Sequence, residues 1–186
     1  MAAGDLTTLD NVHGWLGLDS SQTEDDVLLT RLISAASGFM QTCCNRQFAL
    51  QSYAETRDGN GTVRLFLKQY PIAAVASLVI SGQTIAAGDP VSAPGYYFDS
   101  YSLMLNGFAF RRGMANVAIN YTAGFAAIPL DLEQACIELV GVKYKRKDHI
   151  DRVSDVLANQ TTSYSQRDMP AEVATVLQTY KRVLPL

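Results

Sequence analysis

The chain has 186 residues, 48% of them hydrophobic and 18% charged, with a net charge of −3 at neutral pH. That length gives one domain, or one core with an elaborated insert, and is enough to bury a substantial interior. A mildly acidic balance excludes a protein whose main task is gripping phosphate backbones, which requires clustered Lys and Arg in excess. Three cysteines are an odd number, and Cys43 and Cys44 are adjacent. They form neither a disulfide framework nor a metal-ligand spacing, so a reducing cytoplasm is the simplest setting. The opening MAAGDLTT lacks the basic and apolar regions of a signal peptide. No apolar run is expected to reach the ~20 residues that span a bilayer, so no membrane partner is expected.

The first predicted helix covers 8–18, with Leu9, Val12, Trp15, Leu16 and Leu18 at helical spacing and Thr8 or Asp10 as caps. Gly14 and Gly17 weaken it, each by about 1 kcal/mol relative to Ala. A second helix is predicted over 23–45, with Glu24, Asp25 and Asp26 in its first turn, where the positive end of the helix dipole favours them. Leu28, Leu32, Ala35, Phe39 and Cys43 mark its expected buried stripe, and Asn45 suits a left-handed C-terminal cap.

From 48 to 122 the pattern is β. Asp58-Gly59-Asn60-Gly61 is a hairpin signal between two candidate strands, because these residues accept positive φ. Tyr70-Pro71 breaks the run, and Val75 to Ile80 resumes as a strand ended by Ser81-Gly82. The stretch from Ile85 to Tyr97 reads as loop with short strand pieces. Tyr97 to Leu105, followed by Asn106-Gly107, predicts one further strand and a turn. Val117, Ile119 and Tyr121 alternate with polar or small residues as in a half-buried strand. Gly124 permits a turn, and Pro129 closes the extended segment before a helix over 131–147. Asp131 and Gln134 have capping-box spacing. Leu132, Ala135, Cys136, Leu139, Val140 and Tyr144 form one apolar face. Lys143, Lys145, Arg146 and Lys147 end the helix, where positive charge complements the dipole.

Residues 148–169 are polar and read as a linker or an arm that gains order against a neighbour. Pro170 starts a last short helix with Val173, Val176, Leu177 and Tyr180 on one face and Lys181-Arg182 at its end. The fold class is therefore α+β. A small α-helical bundle carries an inserted antiparallel β region, and a C-terminal extended arm and short helix follow over 148–186.

The residues offer little chemistry. His13 and His149 are far apart in sequence, no CxxC, GxGxxG, phosphate loop or GxSxG occurs, and no cofactor is expected. Asp58-Gly59-Asn60-Gly61 is a fragment of a calcium loop without its bidentate Glu, so a turn is the better reading. Cys43 and Cys44 read as one partly buried and one buried thiol. KYKRK reads as a solvated helix end, with a nucleic-acid patch as the alternative. A small DNA-binding module used in packaging or transcription is the corresponding second reading of function.

Four stretches resemble the head–tail connector (adaptor) family of long-tailed bacteriophages and prophages. The opening LTTLDNVHGWLGLD…TEDDVLLTRLISAASGFMQTCCNRQF is similar to the family's helix pair, ending in a short motif with Arg46. RLFLKQYPIAAVASLVISG resembles its strand, proline and second strand, and NVAINYTAGFAAIPLDLEQACIELVGVKYKRK its last strand, turn and long helix. SYSQRDMPAEVATVLQTYKR is similar to its extended segment and proline-started helix. The resemblance implies a virion protein without enzymatic activity, assembled in a bacterial host's cytoplasm. It would form a twelve-fold ring beneath the portal, meet a downstream neck, stopper or tail protein, and let double-stranded DNA pass. In that setting Lys143, Lys145, Arg146 and Lys147 are candidates for a subunit-facing or lumen-facing patch. Tyr164, Met169, Val173, Leu177, Tyr180, Lys181 and Arg182 are candidates for a portal-docking arm.

Overall fold

A computed structural model describes residues 4–19, 23–147, 154–157, 160–163 and 169–182. The chain divides into two compact units. One is helical, Met1–Arg46 with Ile128–Leu186; the other is the β insert, Gln47–Ala127. The α+β class holds, with an antiparallel β region inserted between helices.

In the helical unit, α1 (Leu9–Leu16) starts at Thr8, whose hydroxyl accepts from the Asn11 amide. It is shorter than predicted, because Gly17 is its left-handed cap at φ 68° and does not sit inside it. The helix α2 (Asp26–Cys44) likewise begins later than Thr23, and Asn45 caps it at φ 52° as expected. Its buried face is Leu29, Ile33, Ala36, Ser37, Met40 and Cys44, one residue out of phase with the predicted stripe. The physical reason is that α2 is apolar on two adjacent stripes, so periodicity alone cannot say which one faces α3 (Leu130–Arg146). This helix also has the length and apolar content to cross a bilayer, contrary to the sequence expectation. In this fold it is a core helix, with Leu29 and Met40 fully buried.

The predicted apolar face of α3 is buried apart from Tyr144, which is half-buried. Its predicted capping box is absent. Pro129 is the N-cap, the helix starts at Leu130, and Gln134 donates instead to Glu138. The 148–169 segment is not uniformly extended: β8 (Ser154–Leu157) and β9 (Gln160–Ser163) pair antiparallel. The last helix, α4 (Ala171–Tyr180), packs on α2 and α3 and so joins the helical unit.

The β unit has a four-stranded sheet in the order β1 (Gln51–Gly59), β7 (Gly113–Ala123), β3 (Ile72–Ile80), β4 (Gln83–Ile85). A second, three-stranded sheet has the order β2 (Arg64–Phe66), β6 (Ser102–Asn106), β5 (Gly95–Phe98). The predicted hairpin at Asp58–Gly61 is therefore not formed, since β1 pairs with β7 and β2 with β6. That turn carries the chain from one sheet to the other. Gly59 is required there, because a Cβ would lie 1.8 Å from the Arg111 carbonyl oxygen. The single strand predicted from Tyr97 to Leu105 is a hairpin, β5 to β6. Asp99 Oδ1 makes the turn by accepting from the amides of Tyr101 and Ser102 at 2.8 and 2.7 Å. Inward residues of both sheets, among them Leu65, Leu78, Leu103, Phe110, Ile119 and Tyr121, share one core. The unit's ends are joined: Phe125 donates to the Phe48 carbonyl at 2.7 Å, and Leu50 donates to that of Phe125 at 3.1 Å.

Candidate functional site

The basic end of α3 does not form one patch. Lys147 donates to Asp25 Oδ2 at 2.8 Å, and its ammonium sits 4.3 Å from the Tyr144 ring centre. The Tyr144 hydroxyl donates to the same Asp25 oxygen. These contacts hold the Asp25 carboxyl below its ordinary pKa, with Lys147 the larger cause, and raise those of Tyr144 and Lys147. Lys143 lies 5.5 Å from the Phe39 ring centre. Lys145 is exposed, and Arg146 is half-buried. The turn of the helix thus sends Lys143 and Lys147 back to α2. Asp25 and Asp26 are likewise more than a dipole complement, for Asp26 Oδ1 stands 2.9 Å from His13 Nε2 on α1. His13 is buried; His149 lies outside the described residues.

The candidate arm residues also divide. Val173 is 0% and Leu177 5% exposed within the helical unit. The Tyr180 hydroxyl donates to both oxygens of Asp131 at 2.8 and 2.9 Å. Burial, then the Asp131 bond, pushes its pKa up to about 12. The Arg182 amide donates to the Cys44 carbonyl at 3.0 Å, and Lys181 is exposed. Met169 is half-buried, and Tyr164 lies outside the described residues. These helix residues anchor the C-terminal segment to its own chain.

Other polar clusters are structural in character. In the β unit the Tyr121 hydroxyl donates to Glu55 Oε2 at 2.8 Å and accepts from the Gln69 amide at 3.2 Å, while Arg57 holds Glu55 Oε1 at 2.8 Å. Burial first, and Glu55 second, raise the Tyr121 pKa. Asp58 Oδ1 accepts from the Ala115 amide, which fixes it as a turn residue. Among the described residues no group of three or more His, Cys, Asp or Glu could hold a metal ion.

What the sequence did not single out is exposed apolar surface. In the helical unit Trp15 is 55%, Val27 84%, Phe39 42% and Leu130 81% exposed. In the β unit Phe66, Tyr101 and Met114 are exposed as well. Trp15 was legible only as a stripe member, and Val27 and Leu130 lie off the apolar periods, which is the signal that marks them. Such surface is suited to contact with other protein.

A model of a family described as "Head completion protein" matches residues 5–183, which takes in both units. No curated protein matches the sequence. Among solved structures, the neck of an empty gene transfer agent (GTA) particle computed with C6 symmetry holds a chain 22% identical. It matches with a TM-score of 0.62, covering 100% of this chain and 95% of that one. A chain in the neck of the native particle, computed with C12 symmetry, is 18% identical with a TM-score of 0.61, at the same coverages. A chain in the virion of the native particle is 18% identical with a TM-score of 0.63, covering 100% of this chain and 94% of that one. At these identities the likeness is one of fold. With the family match running through α1, the whole β insert and α4, the chain belongs to the head completion protein family.

Proposed function

We propose that this protein is a structural subunit of a head–tail connector, forming a ring at the neck of a tailed phage or phage-like particle. The family match over both units carries the reading. The two-unit fold shared with chains in C6 and C12 neck assemblies supports a ring of copies. Exposed apolar side chains on both units supply surface for neighbours. An acidic chain whose Lys143 and Lys147 turn back to α2 makes a weakly adhesive wall for passing DNA, because few phosphates are neutralised. The portal lies on one side of this ring and the next neck component on the other.

The contact with the portal belongs to the 148–169 segment. The sequence of this segment is mostly polar, and α4 after it packs into the helical unit through Val173 and Leu177. The test is to replace residues 148–168 with a short Gly-Ser linker and incubate the variant with purified portal-bearing heads. The variant is expected to keep native circular dichroism and lose head decoration in electron micrographs. Decoration equal to wild type sinks the role of the hairpin, and wild type that leaves heads bare sinks the connector reading.

A further inference from the structure

Two surfaces of the helical unit leave apolar side chains in water. The first is a groove between α1 and the start of α3, where Asp10, Gly14, Trp15, Leu130 and Ile137 stand beside the polar Gln134 and the Asn11–Glu133 pair, bonded at 2.7 Å. Trp15 and Leu130 leave most of their surface in water. Asp10 is exposed at the rim, and no hydrogen bond or ion pair engages it among the described residues. The second is the outer face of α2, where Val27, Arg31, Ala35, Gly38 and Thr42 recur at helical spacing and are all exposed. Arg31 is likewise unengaged among the described residues.

Each surface also carries a glycine without an internal reason. Gly14 and Gly38 lie in helices, where glycine is weaker than alanine. Neither has a positive φ, and a Cβ added to either would meet nothing within 4 Å. A helical glycine facing open space gains a purpose when another backbone comes close to it.

We propose that the outer face of α2 from one copy docks into the α1–α3 groove of the next, with Arg31 beside Asp10. This is a head-to-tail contact that uses two different patches of the same chain, the kind that closes into a ring when its rotation divides a full turn. It rests on the ring reading and names the surfaces that make it. A second copy is the occupant because the patches match in charge, in the exposed apolar side chains each carries (Trp15 and Leu130 against Val27) and in the placing of a glycine on each. The similar neck chains come from assemblies computed with C6 and C12 symmetry.

Trp15 is the chain's single tryptophan and lines the groove, so its fluorescence reports the contact directly. Wild type is expected to shift its emission to the blue as it assembles, followed in parallel by sedimentation and on portal-bearing heads. Arg31→Glu and Asp10→Arg should each need about tenfold more protein to assemble, or more, since each places like charges together. Mixed in equal amounts the two variants should assemble again, because both contacts in an alternating ring then join opposite charges. Gly38→Ala should raise the Tm of the isolated chain yet weaken assembly, a pairing of signs that a role within the monomer does not give.

Single variants that assemble at the wild-type concentration overturn the inference, as does assembled wild type with unshifted Trp15 emission. So does wild type that stays monomeric both free and on heads. The connector reading is judged separately. If wild type and the single variants decorate heads equally, it stands and the inference falls. If wild type assembles through this contact but leaves heads bare, the inference stands and the connector reading falls.

Discussion

The carboxylate of Asp25 accepts from the Tyr144 hydroxyl and the Lys147 ammonium, tying the start of α2 to the end of α3. Sequence alone offered a simpler reading of both ends, as charges matched to helix dipoles. Residue type and position were legible; the partner was not, because it is chosen by the antiparallel packing of two helices more than a hundred residues apart in the chain. Other single residues can be tested in isolation. Burial pushes the thiols of Cys44 and Cys136 up to about 11, while Cys43 is only half-buried. Iodoacetamide at pH 8 should therefore label Cys43 alone in the folded chain and all three cysteines after denaturation, read by peptide mass spectrometry. Asp89 has its pKa lowered to about 2, chiefly by the Ser92 amide and hydroxyl. A depressed carboxyl contributes stability that is present above its ordinary pKa, 3.8, and lost as pH falls toward the folded value. Thermal melts of wild type should thus lose Tm between pH 4 and pH 2 more steeply than melts of Asp89→Asn.

At the scale of elements, α4 is the piece whose role the structure changes most. Its sequence announces a proline-started amphipathic helix, and that is what forms. Where it packs was hidden, since an apolar face says that something covers it without saying what. Val173 and Leu177 settle on α2 and α3 of their own chain. Leu177→Ala should lower unfolding free energy by about 2–5 kcal/mol, as expected for a truncated core leucine. Tyr180→Phe removes only a partly exposed hydrogen bond and should cost about 1 kcal/mol. Urea unfolding of the two variants would rank them, and equal losses would mean that α4 is held by its end instead of its face. The strands teach a related lesson. Asp58–Gly61 has the composition of a hairpin turn, yet it joins strands of different sheets. Composition specifies a reversal of direction, and the partner strand is settled by the shared core around Phe110 and Tyr121.

For the whole molecule, the α+β class and the insertion of the sheets between α2 and α3 were legible, because helical and two-residue periods change over cleanly near Phe48 and Thr122. The separation of the insert into two sheets with one core was not, since it depends on pairings far apart in the chain, from Phe66 with Ser102 to Gln51 with Ala123. The insert holds its own core and pairs its own ends, so residues 47–127 expressed alone should fold and melt cooperatively. A chain lacking cooperative melting and dispersed amide resonances would contradict that independence.

The bonds between Phe48, Leu50 and Phe125 have one more consequence. While the insert is folded, α2 and α3 are joined as if by a short loop. When it unfolds, they become joined by a floppy tether of about 80 residues, and bringing its ends together again costs roughly 3 kcal/mol more than closing a loop of a few residues. A substitution deep in the sheets can therefore loosen the helices without touching them, through the chain's own slack. The two units are coupled by polymer entropy, and particles bearing a weakened insert should fail at the helices as well.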